Sequence, residues 1–459
     1  MDSKLQRGVL KIKPVLTYHL YHRKEATSWR PWGGIQDKDD LAEEIRRIKE
    51  ELRDLSSRAD FPLETLPLSC IEKISDISEI GEIGSSDVVL IYAAGGGEDL
   101  LRSLISRVPS IIFVRHRSGP LYLWYEIVHP VLLRRRTDMI SQPWISYDDV
   151  VVDDYAEVLW RLRALYGLKN TIGVRIVSIG KPGGWGVGNK AVSLARLRWN
   201  IDVKMVSYDE LSKRIREARK DEDYVTQAQR QAVEYIEQEG VSLKTDKKFV
   251  VNAFLLYQVF KDLLNEFEAR AITVSECMST VMPIAETTAC LPLSLLNDEG
   301  YMAFCESDFV AIPAGILLHY ISGKPVFLND PTYPHDGIVT LAHCTAPRKM
   351  DGKNYEAAEI VTHFESDYGA APKVNFRKGQ EVTVIIPDFS EEKWVGFKGE
   401  VMESTHLPIC RSQVDIKIKG DWKMLIKEMR GFHWVMAYGD YLEEIGYALS
   451  KIGIKWKVV

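Results

Sequence analysis

The chain has 459 residues, with 59 Lys+Arg against 65 Asp+Glu and a net charge of −6. That balance argues against a basic nucleic-acid binder, and 46% hydrophobic with 27% charged residues is close to the globular average, so disorder is not the default. At roughly 150 residues per domain the length suits about three domains, with enough chain to bury a core unaided by disulfides. The six cysteines (Cys70, Cys277, Cys290, Cys305, Cys344, Cys410) form no C-x-x-C pair. They read as reduced thiols of a cytoplasmic protein. Charges interrupt every apolar stretch of the N-terminus, unlike a signal peptide, and no uncharged apolar run approaches the roughly 18 residues of a membrane span. Neither a membrane nor a nucleic acid is expected as a partner.

In chain order, the first 45 residues read as irregular and aromatic. Residues 40–60 read as a charged helix, with Glu43, Glu44, Arg46, Arg47, Glu50 and Glu51 on a solvated face. An apolar run at 87–92 ends in Ala-Ala-Gly-Gly-Gly, followed by helical periodicity to 108 and a β-rich run at 110–114. This is a strand–loop–helix–strand unit of the doubly wound type. Gly95, Gly96 and Gly97 fall at the carboxyl end of its first strand, where such sheets bind ligands, but no G-x-G-x-x-G is present.

A second such unit follows the turn at 168–170. It predicts strands at 171–179 and 201–207 and helices at 189–198 and 209–219. The loop Gly180-Lys181-Pro182-Gly183-Gly184-Trp185-Gly186-Val187-Gly188 precedes its first helix and lacks the G-K-[ST] of a Walker loop. Its glycines serve either an anion at the helix N-terminus or close backbone packing. A long helix at 250–267 and a strand at 271–275 come next. Beyond 330 the pattern becomes strand-rich, at 338–341, 359–364, 381–386 and in pieces over 401–414. A helix at 422–429, a strand at 433–438, a helix at 441–451 and a strand at 455–459 close the chain. The reading is α/β: two doubly wound parallel-sheet domains (1–168 and 169–324) and a β-rich C-terminal domain (325–459).

Residues 300–345 carry the chemistry. Glu306 and Asp308 end one strand, Asp330 ends the next, and His343 lies in a third apolar run. His433 starts a distant strand. Carboxylates at strand carboxyl ends are well placed for a site and poorly placed for a core. Each residue also has a structural reading. Glu306 or Asp308 could cap the following helix, Asp330 could be a turn residue before Pro331, and His343 could be a hydrogen-bonded core histidine. Together, two carboxylates and two imidazoles suit a divalent transition-type ion such as Mn²⁺.

At these residues the chain resembles the L-fucose isomerase and L-arabinose isomerase superfamily. The resemblance lies in Glu306-Ser307-Asp308, Asp330-Pro331-Thr332-Tyr333, Ala342-His343 and Phe432-His433-Trp434. It runs from about residue 275 to 438 and implies a three-domain α/β fold. Glu306 would come from the second domain and Asp330, His343 and His433 from the third. The resemblance implies that these four hold Mn²⁺ (Mg²⁺ or Co²⁺ as substitutes), with Glu306 and Asp330 also exchanging protons. Phe432 stands where the family often has a second histidine, and His343 matches the arabinose branch only. The implied reaction is aldose–ketose isomerisation of a pentose or 6-deoxyhexose through an ene-diol. The implied assembly is a trimer or hexamer whose sites are completed by a neighbour's first domain. A noncatalytic sugar-binding or regulatory protein on the same fold is the alternative, and a metal hydrolase ranks last for want of a nucleophile motif. Tyr333, Arg411 and Trp434 are candidate sugar contacts, as are Arg115–Gly119 and His129 of the first domain. His363 reads as structural, and Cys344, beside His343, as no nucleophile.

Overall fold

The computed structural model describes residues 8–81, 83–134, 145–389, 392–403 and 406–459. It is mixed α/β and divides into two compact units, one reaching Lys169 and the other covering Asn170–Val459.

The first unit is built on an all-parallel sheet of β1 (Leu10–Thr17), β2 (Leu63–Thr65), β3 (Ser69–Ile71), β4 (Val88–Ala93), β5 (Ser110–Val114) and β6 (Val150–Val152). Its order is β2-β1-β4-β5-β6, with β3 also on β1. The expectation of an irregular N-terminus is corrected here, because β1 is an interior strand. Two lysines and Pro14 disguise it. Lys13 is only 2% exposed and donates its Nζ to the Pro67 carbonyl at 2.7 Å. The helix Lys38–Arg58 begins with a capping box between Asp37 and Asp40. Its acidic face is not uniformly solvated. Glu44 is fully buried and, with Glu51, pairs with the buried Arg115 at 2.6 and 2.5 Å. Arg115 is therefore a core ion-pair residue, and sequence spacing could not separate it from a ligand contact.

The second unit contains a parallel sheet in the order β11-β10-β7-β8. Its strands are β7 (Arg175–Ile179), β8 (Asp202–Val206), β10 (Ala271–Val274) and β11 (Met302–Cys305). A strand between them in sequence, β9 (Val241–Leu243), leaves this sheet to pair with β14 (Ala358–Val361), which pairs with β15 (Ala371–Val374). The β-rich region adds β12 (Phe327–Pro331), β13 (Ile338–His343), β16 (Glu381–Ile386), β17 (Lys393–Val401), β18 (Ser412–Lys419), β19 (Trp434–Tyr438) and β20 (Lys455–Val458). The order β16-β19-β12-β13-β18-β17 is closed by a further β16–β17 pairing. Six antiparallel strands thus form a barrel-like ring, and β20 pairs in parallel with residues 393–396 of β17, ahead of the stretch that pairs with β18. Closure removes the exposed edges that open sheets carry.

β11 is held from both sides. The buried Asn297 amide donates to the Ala303 carbonyl at 2.8 Å and accepts from the Ala303 N–H at 3.0 Å. Gly315, in the helix Ile312–Ser322, faces the Phe304 ring so closely that a Cβ would sit 2.5 Å from it. The strand that presents Glu306 is therefore fixed in height and tilt.

Next to Asn297, Asp298 is buried. One oxygen accepts from the Lys349 N–H at 2.7 Å and the other has no partner. Burial pushes its carboxyl up from 3.8 to about 7, against the opposing pull of the Lys349 N–H and Arg348. Between those values the folded chain holds a proton that the unfolded chain has released, so stability falls as pH rises through the window and levels off above it. A shift of three units corresponds to about 4 kcal/mol. Asp298→Asn keeps the bond to Lys349 and removes the charge. Urea unfolding should show wild type losing stability from pH 5 to pH 8 relative to Asp298→Asn. Parallel pH profiles for the two proteins would contradict the assignment.

Candidate functional site

β11 stops at Cys305 and the chain turns sharply. Glu306 and Ser307 are both left-handed, at φ +61° and +49°. The Ser307 N–H donates to Thr273 Oγ1 of β10 at 3.1 Å, and its carbonyl accepts from the Gly183 N–H at 3.2 Å. Gly183 in turn accepts from Phe309, so the glycine loop and this turn form one bridged unit. Neither acid caps the following helix, which starts at Ile312 behind Ala311.

Asp308, the second acid of the pair, sits inside the turn and is 2% exposed. Its Oδ1 accepts from the N–H groups of Val310 (3.0 Å) and Trp185 (3.3 Å). Its Oδ2 lies 2.8 Å from His433 Nδ1. Donation from Nδ1 fixes that ring's tautomer and leaves the Nε2 lone pair facing the opposite way. His343 is set similarly, with Nδ1 3.0 Å from Thr345 Oγ1.

The barrel register brings the remaining groups in. β12 pairs Asn329 with Trp434, placing Asp330 beside His433, and Asp330 faces Ala342 on β13, next to His343. His433 Nε2 is 3.4 Å from both Glu306 Oε2 and Asp330 Oδ1. His343 Nε2 is 3.7 Å from Glu306 Oε1. Ligand atoms of Asp330, His343 and His433 all lie within 4.8 Å of one another. Both Nε2 atoms and Asp330 Oδ1 are buried with no hydrogen-bond partner. Three such orphans in one place are costly, at about 1–3 kcal/mol each. A cation in their midst would satisfy all three, and the oxygen-plus-imidazole donor set fits a hard-to-borderline divalent ion. The imidazoles form the floor, 4% and 0% exposed, while the Glu306 and Asp330 side chains are 38% and 31% exposed. The carboxylates are thus the groups an entering molecule meets.

The charges interlock. Burial opposes ionisation of Glu306, but the two imidazoles outweigh it and hold the carboxyl well below its ordinary range. Burial dominates at Asp330 and raises it, despite the same imidazoles. Burial also disfavours charged imidazoles, yet the facing acids raise His343, and Asp308 followed by Glu306 lifts His433 to about 10.

The glycine loop contributes an aromatic wall. Trp185 and Phe432, 56% and 39% exposed, stack at 4.1 Å between centroids, and the Phe432 ring stands edge-on to His433 at 4.8 Å. Of the proposed sugar contacts, Tyr333 is 66% exposed. Trp434 is instead a core residue, fully buried against Phe397 and bonded to the Arg430 carbonyl. Arg411 is engaged elsewhere, donating to the Thr362 carbonyl and hydroxyl and to Asp367. Sequence reasoning missed the pairing of Asp308 with His433, the Trp185–Phe432 stack and the Cys305 thiol, which lies within 4.8 Å of donor atoms of Glu306 and His343. Only Asp308 left a signal, as the second acid of Glu-Ser-Asp. No family model and no curated protein matches the chain.

The Glu306–Ser307 turn stores strain. A left-handed non-glycine residue costs roughly 1–2 kcal/mol, and the Ser307 hydroxyl is buried without a partner. Ser307→Gly removes both costs and adds about 0.5–1 kcal/mol of unfolded-state entropy. We expect net stabilisation of about 1 kcal/mol, read as a higher urea midpoint at unchanged m-value. Destabilisation would show that the turn is not strained.

Proposed function

We propose that the protein is a divalent-metal-dependent sugar isomerase, interconverting an aldose and a ketose of the pentose or 6-deoxyhexose class. The observation that carries this reading is the clustering of Asp330, His343 and His433, whose ligand atoms lie within 4.8 Å of one another with three of them orphaned, beside Glu306 at 3.4 Å from His433 and 3.7 Å from His343. Mn²⁺ fits that donor set, with Mg²⁺ or Co²⁺ as substitutes. Bound there, the ion supplies Lewis acidity that stabilises the negative charge developing on the sugar oxygens.

The chain's own residues divide the remaining work. Isomerisation moves one proton between neighbouring carbons and another between their oxygens. Glu306 and Asp330 are the two groups placed to carry these protons, one removing the carbon-bound proton and the other handing a proton to the oxygen that becomes a hydroxyl. Both His433 and His343 present Nε2 and move no proton. Asp308 acts through His433 by holding its tautomer. Trp185 and Phe432 offer the flat apolar surface that the C–H face of a sugar packs on. A homo-oligomer, trimer or hexamer, is part of the proposal and rests on the resemblance. Light scattering at micromolar concentration checks it, and a fully active monomer would contradict it.

The direct test is a screen of aldoses and ketoses after chelation and reloading with Mn²⁺. Sugar binding without interconversion would favour the noncatalytic alternative. Glu306→Gln and Asp330→Asn should each lose about 10²-fold or more in rate even at saturating Mn²⁺, because added ion cannot replace a proton carrier. His343→Ala should weaken metal binding instead, with excess Mn²⁺ restoring part of the rate. Rescue of Glu306→Gln by metal to the same degree would refute its role as a proton carrier.

Asp308→Asn retains the shape but lets the wrong ring nitrogen of His433 carry the proton. Loss of such an orienting partner typically weakens metal affinity about 10–100-fold. Calorimetric titration of the metal-free variant with Mn²⁺ reads this without assaying turnover. Unchanged affinity would remove Asp308 from the scheme.

A further inference from the structure

Four further thiols lie near the strand that carries His343. Cys344 follows it directly, and Cys290, Cys344 and Ala371 form one packed cluster with Cys410 against it. Cys277 is close enough to the Cys290 and Cys305 thiols to raise both electrostatically. All are free cysteines. Within this group the Cys344 and Cys410 thiols hydrogen-bond each other.

The backbone fixes that pair. β13 and β18 pair His343 with Ser412, so Cys344 is next to Arg411 and diagonal to Cys410. The Arg411 N–H donates to Cys344 Sγ at 3.4 Å. The Gln413 amide donates to the carbonyls of Cys410 (3.0 Å) and Leu407 (2.8 Å) and accepts from the Leu407 N–H (2.8 Å), pinning the loop that carries Cys410. Cys410 is partly exposed, whereas Cys344 is 2% exposed. Peroxide can thus approach the pair from the Cys410 side, and each cysteine has a neighbour able to resolve its oxidised form.

We propose that Cys410 and Cys344 are an oxidation site that closes to a disulfide with a peroxide. One sulfur of the pair attacks a peroxide oxygen and loses its proton, the O–O bond breaks, and the other oxygen leaves as water, giving a sulfenic acid. The second sulfur then loses its own proton and displaces that hydroxyl as a second water. In sum, two thiols and one hydrogen peroxide give one disulfide and two waters. The new S–S bond, about 2.05 Å, is far shorter than a thiol–thiol contact, so Cys344 must shift and carries His343 with it. A displacement on the order of 1 Å at such a group costs about 10²-fold in rate. This last consequence rests on the isomerase reading; formation of the disulfide does not.

The test treats the full-length protein with hydrogen peroxide, blocks remaining thiols by alkylation, and maps disulfides by peptide mass spectrometry. A Cys344–Cys410 cross-link, reversed by dithiothreitol, is expected. Mn²⁺ affinity of the oxidised protein should fall about tenfold or more and recover on reduction. Cys410→Ser should form no cross-link at Cys344 and keep its metal affinity after peroxide. A Cys290–Cys344 cross-link, or Cys410 carried only to sulfinic or sulfonic acid, would overturn the proposal. Cys290→Ser, expected to cross-link as wild type does, keeps the pairing testable if Cys410→Ser fails to fold. A mapped cross-link without isomerase activity would sink the functional reading and leave the oxidation site standing.

Discussion

The 2.8 Å contact between Asp308 Oδ2 and His433 Nδ1 is the interaction on which the site depends. It joins the turn after the last strand of a parallel sheet to the start of a barrel strand. A buried imidazole bonded at one nitrogen must present the other, so this contact decides where Nε2 points. Everything facing that nitrogen, Glu306 and Asp330 included, is arranged around a direction set by Asp308. The acid is itself immobilised by two backbone N–H donors, one from the glycine loop. The loop therefore serves the site through its backbone, while Gly180 and Gly184 also allow the close packing against Tyr208 and Ala191 that a side chain would block.

That dependence explains what could be read from the sequence. Glu306, Asp330, His343 and His433 were visible because polar side chains at the ends of apolar runs are expensive to bury and need a reason. Most strands and helices of the second unit were visible too, since β-branched runs and amphipathic periodicity report burial directly. The role of Asp308 was not legible. Its neighbour Glu306 carries the same charge two positions away, and only the left-handed pair Glu306–Ser307 turns one acid outward and the other inward. Sequence periodicity assumes a regular backbone and cannot distinguish two acids across an irregular turn.

The same limit applies to the barrel and to β1. Closure of the ring depends on the β16–β17 pairing, a relation between strands that no local pattern encodes. Interior strand β1 hides behind Lys11, Lys13 and Pro14. Helical spacing in the first unit correctly marked a charged helix but not that Glu44 turns inward to Arg115. Removing one member of such a buried pair leaves an uncompensated charge, costing about 3–5 kcal/mol. Arg115 is thus held by the fold's own electrostatics, which accounts for its presence without any ligand.

The cysteines show how far composition can mislead. Their wide spacing in sequence is the pattern of unrelated thiols, yet Cys290, Cys344 and Cys410 pack together, Cys277 is near Cys344, and Cys305 lies beside Glu306 and His343. Burial keeps Cys305 protonated, with its thiol raised well above the ordinary range. A protonated thiol is a poor ligand for a hard ion, so at the proposed centre the oxygen and imidazole donors would dominate for Mn²⁺ or Mg²⁺. A thiophilic ion such as Zn²⁺ would change that balance, because it stabilises the thiolate and the Cys305 sulfur lies within 4.8 Å of donor atoms of Glu306 and His343. The selectivity of the proposed centre would then be set less by its oxygen and imidazole groups than by the apolar packing that keeps one sulfur neutral.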